Sequence, residues 1–178
     1  MLTDLQTRKF TRMFNAFDAD HSGYLEFADV QTILTNLAQL NGIVAGSPEY
    51  EAAQSSFRTR WEHTRQFADT NRDDRVTLDE WLAYCSALIQ SPEMFEQDMG
   101  SLISSNARLM DRDGDGLISL EDFAAVRGNL DSDNTAVFQR LDLNGDGYIS
   151  REEFIASYRQ FFLSDDPDAP GSWFFGPF

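Results

Sequence analysis

Little in this sequence points to covalent chemistry or to an anionic partner. Among 178 residues there is one cysteine, Cys85, so no internal disulfide can form. Only two histidines are present, His21 and His63, and no sequence pattern brings either to Cys85, which reads as a small core residue on an apolar helix face rather than a nucleophile. Basic residues are scarce: 14 Lys and Arg against 30 Asp and Glu leave a formal charge of −16, which repels nucleic acid and anionic membrane alike. No apolar run approaches the length of a membrane span. The first residues, "MLTDLQTRKF", carry charges where a secretory peptide needs its apolar region, and Leu2 in place of Gly excludes N-myristoylation. These absences predict a cytoplasmic monomer, not an enzyme, with no nucleic-acid and no membrane partner.

What is present is acidic charge in unusual concentration. "DRDGDGLISLED", Asp111 to Asp122, crowds five carboxylates into twelve residues, and carboxylates that close oppose compaction unless something neutralises them. A hard cation does so. In a 12-residue calcium loop, oxygens come from side chains at positions 1, 3 and 5, a backbone carbonyl at 7, a side chain or water at 9 and a carboxylate at 12, with Gly at 6 for the turn. Asp111, Asp113, Asp115, Gly116, Leu117, Ser119 and Asp122 fill those places in order. The pattern recurs three times. The first copy is Asp18, Asp20, Ser22, Gly23, Tyr24, Glu26 and Asp29. The second is Asp69, Asn71, Asp73, Asp74, Arg75, Thr77 and Glu80, and the fourth is Asp142, Asn144, Asp146, Gly147, Tyr148, Ser150 and Glu153. Tyr24, Arg75, Leu117 and Tyr148 would each offer a carbonyl. Position 8 is apolar in all four loops (Leu25, Val76, Ile118, Ile149), so each can pair with a neighbour's as a short strand.

The flanks read as amphipathic helices. Phe10, Met13, Phe14 and Phe17 precede the first loop, and Phe27, Val30, Leu34 and Leu37 follow it. Ala53, Phe57, Trp61 and Thr64 precede the second, with Leu78, Trp81, Leu82, Cys85, Leu88 and Ile89 after. Met99, Leu102, Ile103, Asn106 and Met110, then Phe123, Ala124, Val126 and Leu130, flank the third. Val137, Phe138 and Leu141, then Phe154, Ile155, Tyr158, Phe161 and Phe162, flank the fourth. Ser47-Pro48 and Ser91-Pro92 each read as an N-cap followed by proline at the first helical position. The fold expected is all-α: four helix–loop–helix units in two pairs forming one compact globule, with short β-bridges between paired loops. The pairs span 1–90 and 91–163, and an aromatic tail, 164–178, packs on the core.

Loops three and four begin 31 positions apart, at Asp111 and Asp142, whereas loops one and two begin 51 apart, at Asp18 and Asp69, with "NGIVAGSP" in the surplus. With these loops, that spacing and the tail "DDPDAPGSWFFGPF", the chain resembles the EF-hand superfamily, and within it the sarcoplasmic calcium-binding proteins and their bacterial calerythrin-like members. The resemblance implies a soluble calcium, and sometimes magnesium, buffer or signal modulator. Up to four Ca²⁺ would halve the charge to −8. The alternative functions are a sensor that exposes an apolar groove to a partner protein, and a carrier of a small apolar ligand like luciferin-binding relatives. Coelenterate photoproteins use histidine clusters near a terminal proline, whereas this chain has no His after His63.

Departures from the loop pattern carry chemistry. Asp74 at position 6 of loop two must take the left-handed backbone at some cost, and Arg72 and Arg75 bring positive charge there, which predicts the weakest or slowest site. Loops one and three close with Asp29 and Asp122, one methylene shorter than Glu, so each is expected to be either a smaller site that accepts six-coordinate Mg²⁺ or a weaker calcium site. Aromatics outnumber methionines 23 to 5, a composition suited to a permanently filled interior more than to an adaptable groove. Trp173, Phe174, Phe175 and Phe178, broken by Pro and Gly, cannot form a regular helix and are too apolar for water. The tail is therefore expected to fold back over the gap between the pairs.

Overall fold

The computed structural model describes residues 1–97, 107, 110–127 and 133–177. Helices α1 (Asp4–Phe17), α2 (Phe27–Leu40), α3 (Pro48–Ala68) and α4 (Leu78–Gln90) enclose strands β1 (Tyr24–Leu25) and β2 (Val76–Thr77). There follow α5 (residues 92–97), β3 (Leu117–Ile118), α6 (Leu120–Arg127), α7 (Asn134–Leu141), β4 (Ile149–Ser150), α8 (Arg151–Leu163) and a 3₁₀ turn, Pro170–Trp173. The architecture is all-α with two small antiparallel ladders, β1–β2 and β3–β4. Position 8 faces position 8 in both: Leu25 opposes Val76 and Ile118 opposes Ile149. Met99, Leu102, Ile103 and Asn106, read as helix ahead of loop three, lie outside the described residues, as do Leu130 and Phe178.

Local chemistry sets the helix starts. The Ser47 hydroxyl accepts the Tyr50 N–H at 3.2 Å and the Ser91 hydroxyl accepts the Met94 N–H at 3.3 Å, each using a donor that the first helical turn leaves unpaired. Asp133 caps α7 through the N–H groups of Thr135 and Ala136.

The described residues form two compact units. One is Phe10–Ser86. Its core gathers Phe10, Met13, Phe14, Leu34, Trp61, Val76, Trp81, Tyr84 and Cys85. The indole N–H of Trp81 donates to the Phe10 carbonyl at 3.1 Å, and its ring meets Phe17 edge-on. Cys85 is fully buried and its thiol pKa is pushed up by that burial, as suits a packing residue.

The other unit joins Met1–Lys9 to Ala87–Phe178. Its core is aromatic: Phe95, Phe123, Phe138, Phe154, Tyr158, Phe161, Phe162 and Phe174 are all buried. Most meet edge-on or tilted at 4.9–5.7 Å, the geometry ring quadrupoles favour. Two cations are buried here as well. Lys9, the only lysine in the chain, is wholly inaccessible to solvent. Its ammonium donates to the carbonyls of Ser164 at 2.7 Å and Gln160 at 3.4 Å, at the C-terminal end of α8, where the helix dipole favours positive charge. Thr3 donates its hydroxyl to Asp165 beside it. Burial pushes the Lys9 pKa down to about 8, against the opposing pull of Asp165. Arg127, the second buried cation, closes α6.

Candidate metal centres

Each loop is organised by its first aspartate. In loop one, Asp18 accepts the N–H of Ser22 on one oxygen and of Gly23 on the other, both at 2.9 Å. Asp69 accepts Arg72, Asp73 and Asp74, Asp111 accepts Gly114 and Gly116, and Asp142 accepts Gly145, Asp146 and Gly147, at 2.7–3.2 Å. The chain is thus wound around one carboxylate. Position 3 repeats the device on a smaller scale: Asp20, Asn71, Asp113 and Asn144 each accept the N–H two residues on. Asp73, Asp115 and Asp146 at position 5 do the same for position 7. Each oxygen accepts these bonds with lone-pair capacity to spare, and the bonds fix its position in the turn.

The backbone needed for this winding is left-handed at two places per loop. Position 6 has φ of 84° at Gly23, 67° at Asp74, 91° at Gly116 and 90° at Gly147. Position 4 is left-handed too. Loops three and four meet that need with Gly114 and Gly145, while loops one and two meet it with His21 (φ 57°) and Arg72 (φ 63°). The Asp74 side chain turns outward to pair with Arg65, and Arg75 pairs with Glu26 at 3.4 Å while lying over the Tyr24 ring. Glu26, the position-9 candidate of loop one, is therefore held by an arginine of loop two.

The closing residues serve the exit helices as well as the loops. Glu26 with Asp29, and Ser150 with Glu153, form capping boxes at the starts of α2 and α8. Thr77 and Glu80 make the same reciprocal bonds before α4, and Ser119 and Asp122 before α6. The S/T-x-x-E pattern of Thr77–Glu80 and Ser150–Glu153 signals this second role in the sequence, beneath the metal-ligand spacing that the same residues satisfy. Three of the four also reach back to the loop's start: Asp29 accepts the Ala19 N–H at 2.9 Å, Glu80 that of Thr70 at 3.1 Å, and Glu153 those of Leu143 and Asn144 at 3.0 and 3.1 Å. Donation from Thr77 and Thr70 holds the Glu80 carboxyl down at about 2. Burial works to raise the Glu153 carboxyl, but the Ser150, Asn144 and Leu143 donors hold it below the usual range.

Two loops already bring carboxylate oxygens to cation spacing. Oxygens of Asp18, Asp20 and Asp29 lie within 4.8 Å of one another, and so do those of Asp111, Asp113 and Asp115. Oxygens on opposite sides of one Ca²⁺ stand about 4.6–5.2 Å apart, so both sets fit around a single ion. They differ in which loop positions they draw on. The loop-one group includes its closing residue, Asp29, which is buried, whereas Asp122 stands outside the loop-three group and faces Arg112 at 3.9 Å. In loops two and four Asn71 and Asn144 contribute neutral oxygens, and their amides donate to Asp73 and Asp146. At position 7, Tyr24 and Leu117 are ladder residues opposite Thr77 and Ser150, while Arg75 and Tyr148 directly precede β2 and β4.

Comparison with known proteins gives a consistent picture. An EF-hand domain pair model matches residues 108–159 and an EF-hand model matches residues 11–34. The sequence is 28% identical over 130 residues to sarcoplasmic calcium-binding proteins II, V, VI and VII of Branchiostoma lanceolatum, covering 68% of each chain. It is 25% identical over 127 residues to calerythrin of Saccharopolyspora erythraea, covering 70% of this chain and 72% of that one. The structure of a sarcoplasmic calcium-binding protein from amphioxus superposes with a TM-score of 0.78 at 25% identity over the full length of both chains.

Proposed function

Since this chain is an EF-hand calcium-binding protein of the sarcoplasmic and calerythrin type, we propose that it is a calcium buffer that keeps its apolar surface covered whether or not metal is bound. Up to four Ca²⁺ would bind, one per loop. The ligands are Asp18, Asp20, Ser22, Tyr24, Glu26 and Asp29; Asp69, Asn71, Asp73, Arg75 and Glu80; Asp111, Asp113, Asp115, Leu117 and Asp122; and Asp142, Asn144, Asp146, Tyr148 and Glu153, with Tyr24, Arg75, Leu117 and Tyr148 acting through their carbonyls. The chain works as a cytoplasmic monomer and catalyses no reaction. Mg²⁺ competes at the loops closed by Asp29 and Asp122.

The observation that carries the buffer reading is the tail. A sensor must offer an open apolar groove to a target. In this chain Phe174, 4% exposed, sits on Phe154 and Tyr158 of α8, the helix that leaves loop four. Calorimetric titration of metal-free protein with calcium, with and without millimolar magnesium, gives the number of sites and which of them compete. Hydrophobic-dye fluorescence on the same samples should stay flat through the titration. A calcium-dependent rise in dye binding would instead identify a sensor.

A further inference from the structure

We propose that α6, α7 and α8 build a peptide-binding site whose resident ligand is the chain's own segment 169–177, anchored by buried Arg127 through the Phe174 main-chain carbonyl. The ligand class is a proline–glycine turn followed by three adjacent aromatic residues, Trp173, Phe174 and Phe175.

The segment has the properties of a preformed ligand. Its hydrogen bonds are largely its own: Ala169 N–H donates to Asp166, Ser172 N–H to Ala169, Phe174 N–H to Gly171 and Gly176 N–H to Trp173. The Ser172 hydroxyl and the Trp173 indole reach back to the Asp166 and Pro167 carbonyls. Its attachments to the helices are few and specific. Arg127 donates one guanidinium N–H to the Phe174 carbonyl and its Nε–H to Asn134 of α7, and lies over the Phe123 ring. Arg140 of α7 stacks 3.9 Å over the Trp173 ring. Gln160 of α8 accepts the Gly171 N–H at 3.0 Å.

The pocket floor fits nothing larger than this backbone. A Cβ at Gly171 would lie 2.1 Å from the Ser157 carbonyl of α8, so only glycine can approach there. Phe174 then drops onto Phe154 and Tyr158, and Phe175 onto Phe161 at 4.9 Å.

Arg127 separates a docking site from a surface crust. A buried guanidinium is costly unless its donors are met, and a tail carbonyl meets one of them. A covering that served only to shield Phe rings from water would need no charge beneath it. Two of these helices also leave candidate metal loops, α6 after loop three and α8 after loop four, and α7 leads into loop four. The proposal deepens the buffer reading by naming what covers the groove, but docking does not require that the loops bind metal.

The test uses the full chain. Chymotrypsin cleaves after Trp and Phe, so release of the tail, followed by mass spectrometry under native conditions, reports its undocking. Arg127→Met should accelerate cleavage at Trp173–Phe175 by about tenfold or more, the loss expected for one charge-assisted hydrogen bond, with Arg127→Lys intermediate. In a Phe174→Ala/Phe175→Ala chain, whose own tail is weakened, a fluorescein-labelled synthetic peptide of residues 165–177 should bind in trans at least about tenfold more tightly than to wild type. Adding Arg127→Met should abolish that binding. Equal cleavage of wild type and Arg127→Met, or peptide binding that ignores Arg127 or is no tighter to the weakened chain, overturns the proposal. Should Arg127→Met fail to fold, Arg127→Lys carries both arms. Calcium counted on the same samples keeps a failure of the metal reading distinct from a failure of docking.

Discussion

The buried ammonium of Lys9 makes a prediction about alkaline stability. Desolvation lowers its pKa from 10.5 to about 8, with Asp165 opposing. In the unfolded chain the amine keeps its ordinary value, so between about pH 8 and 10.5 the unfolded state binds the proton that the folded state has released. The Lys9 contribution to stability therefore rises with pH across that window, while the buried Cys85 thiol, held protonated in the fold, opposes it above about pH 9; the Lys9 share is the difference between wild type and Lys9→Met. The full displacement corresponds to at most about 3 kcal/mol. Two carbonyl partners and the neighbouring Asp165 offset part of it, so we expect about 1–2 kcal/mol from this group, a change of about 2–8 °C in the Tm of wild type relative to Lys9→Met across the window. Thermal unfolding in saturating calcium at half-unit pH steps measures the slope, and Lys9→Met removes this group's share while leaving every other group's in place. Because Lys9 is the only lysine, ¹³C-lysine labelling yields one side-chain resonance whose titration midpoint is read directly. A midpoint at or above 10.5, or a wild-type slope identical to that of Lys9→Met, refutes the reasoning.

Other substitutions test other steps. Asp122→Glu should raise calcium affinity at loop three and weaken magnesium competition, because Asp122 stands outside the acidic group there. Asp29→Glu should do neither, since Asp29 is buried and already reaches Ala19; equal responses of the two loops by calorimetry would sink the distinction. Glu80→Gln should lower the calcium count by one per chain, and an unchanged count means that loop two does not bind. Gly171→Ala drives a methyl into the Ser157 carbonyl and should cost about 2 kcal/mol or more of stability, with faster chymotryptic release of the tail; a wild-type Tm would show that the turn has room.

Much of this is legible in the sequence. Loop residues announce themselves because metal chemistry fixes both their type and their spacing, and the position-8 pairing of Leu25 with Val76 and Ile118 with Ile149 follows from the same register. Helix faces were legible where they are apolar. They were not legible where a charge lies in the stripe. Leu5, Lys9 and Met13 share one buried face of α1 at i, i+4 spacing, but a search for apolar residues begins at Phe10 and passes over Lys9. Arg127 escaped for the same reason, at the end of a helix whose described stripe otherwise reads Phe123, Ala124 and Val126. The strained position 4 of loops one and two was missed because Gly114 and Gly145 look like ordinary turn glycines until His21 and Arg72 are seen in the same backbone state.

The unit completed by Met1–Lys9 is discontinuous along the chain, and this has a consequence during synthesis. The ribosome makes these nine residues before the rest of the unit, and their partners, the Gln160 and Ser164 carbonyls and Asp165, come far later. Phe10–Ser86 is continuous and can fold as it emerges, while the leading segment waits, its lysine still hydrated, through more than 150 further residues. Closing that long loop is a late step. A nascent chain stalled before α8 should therefore expose Lys9 to amine-reactive reagents, and a finished one should hide it.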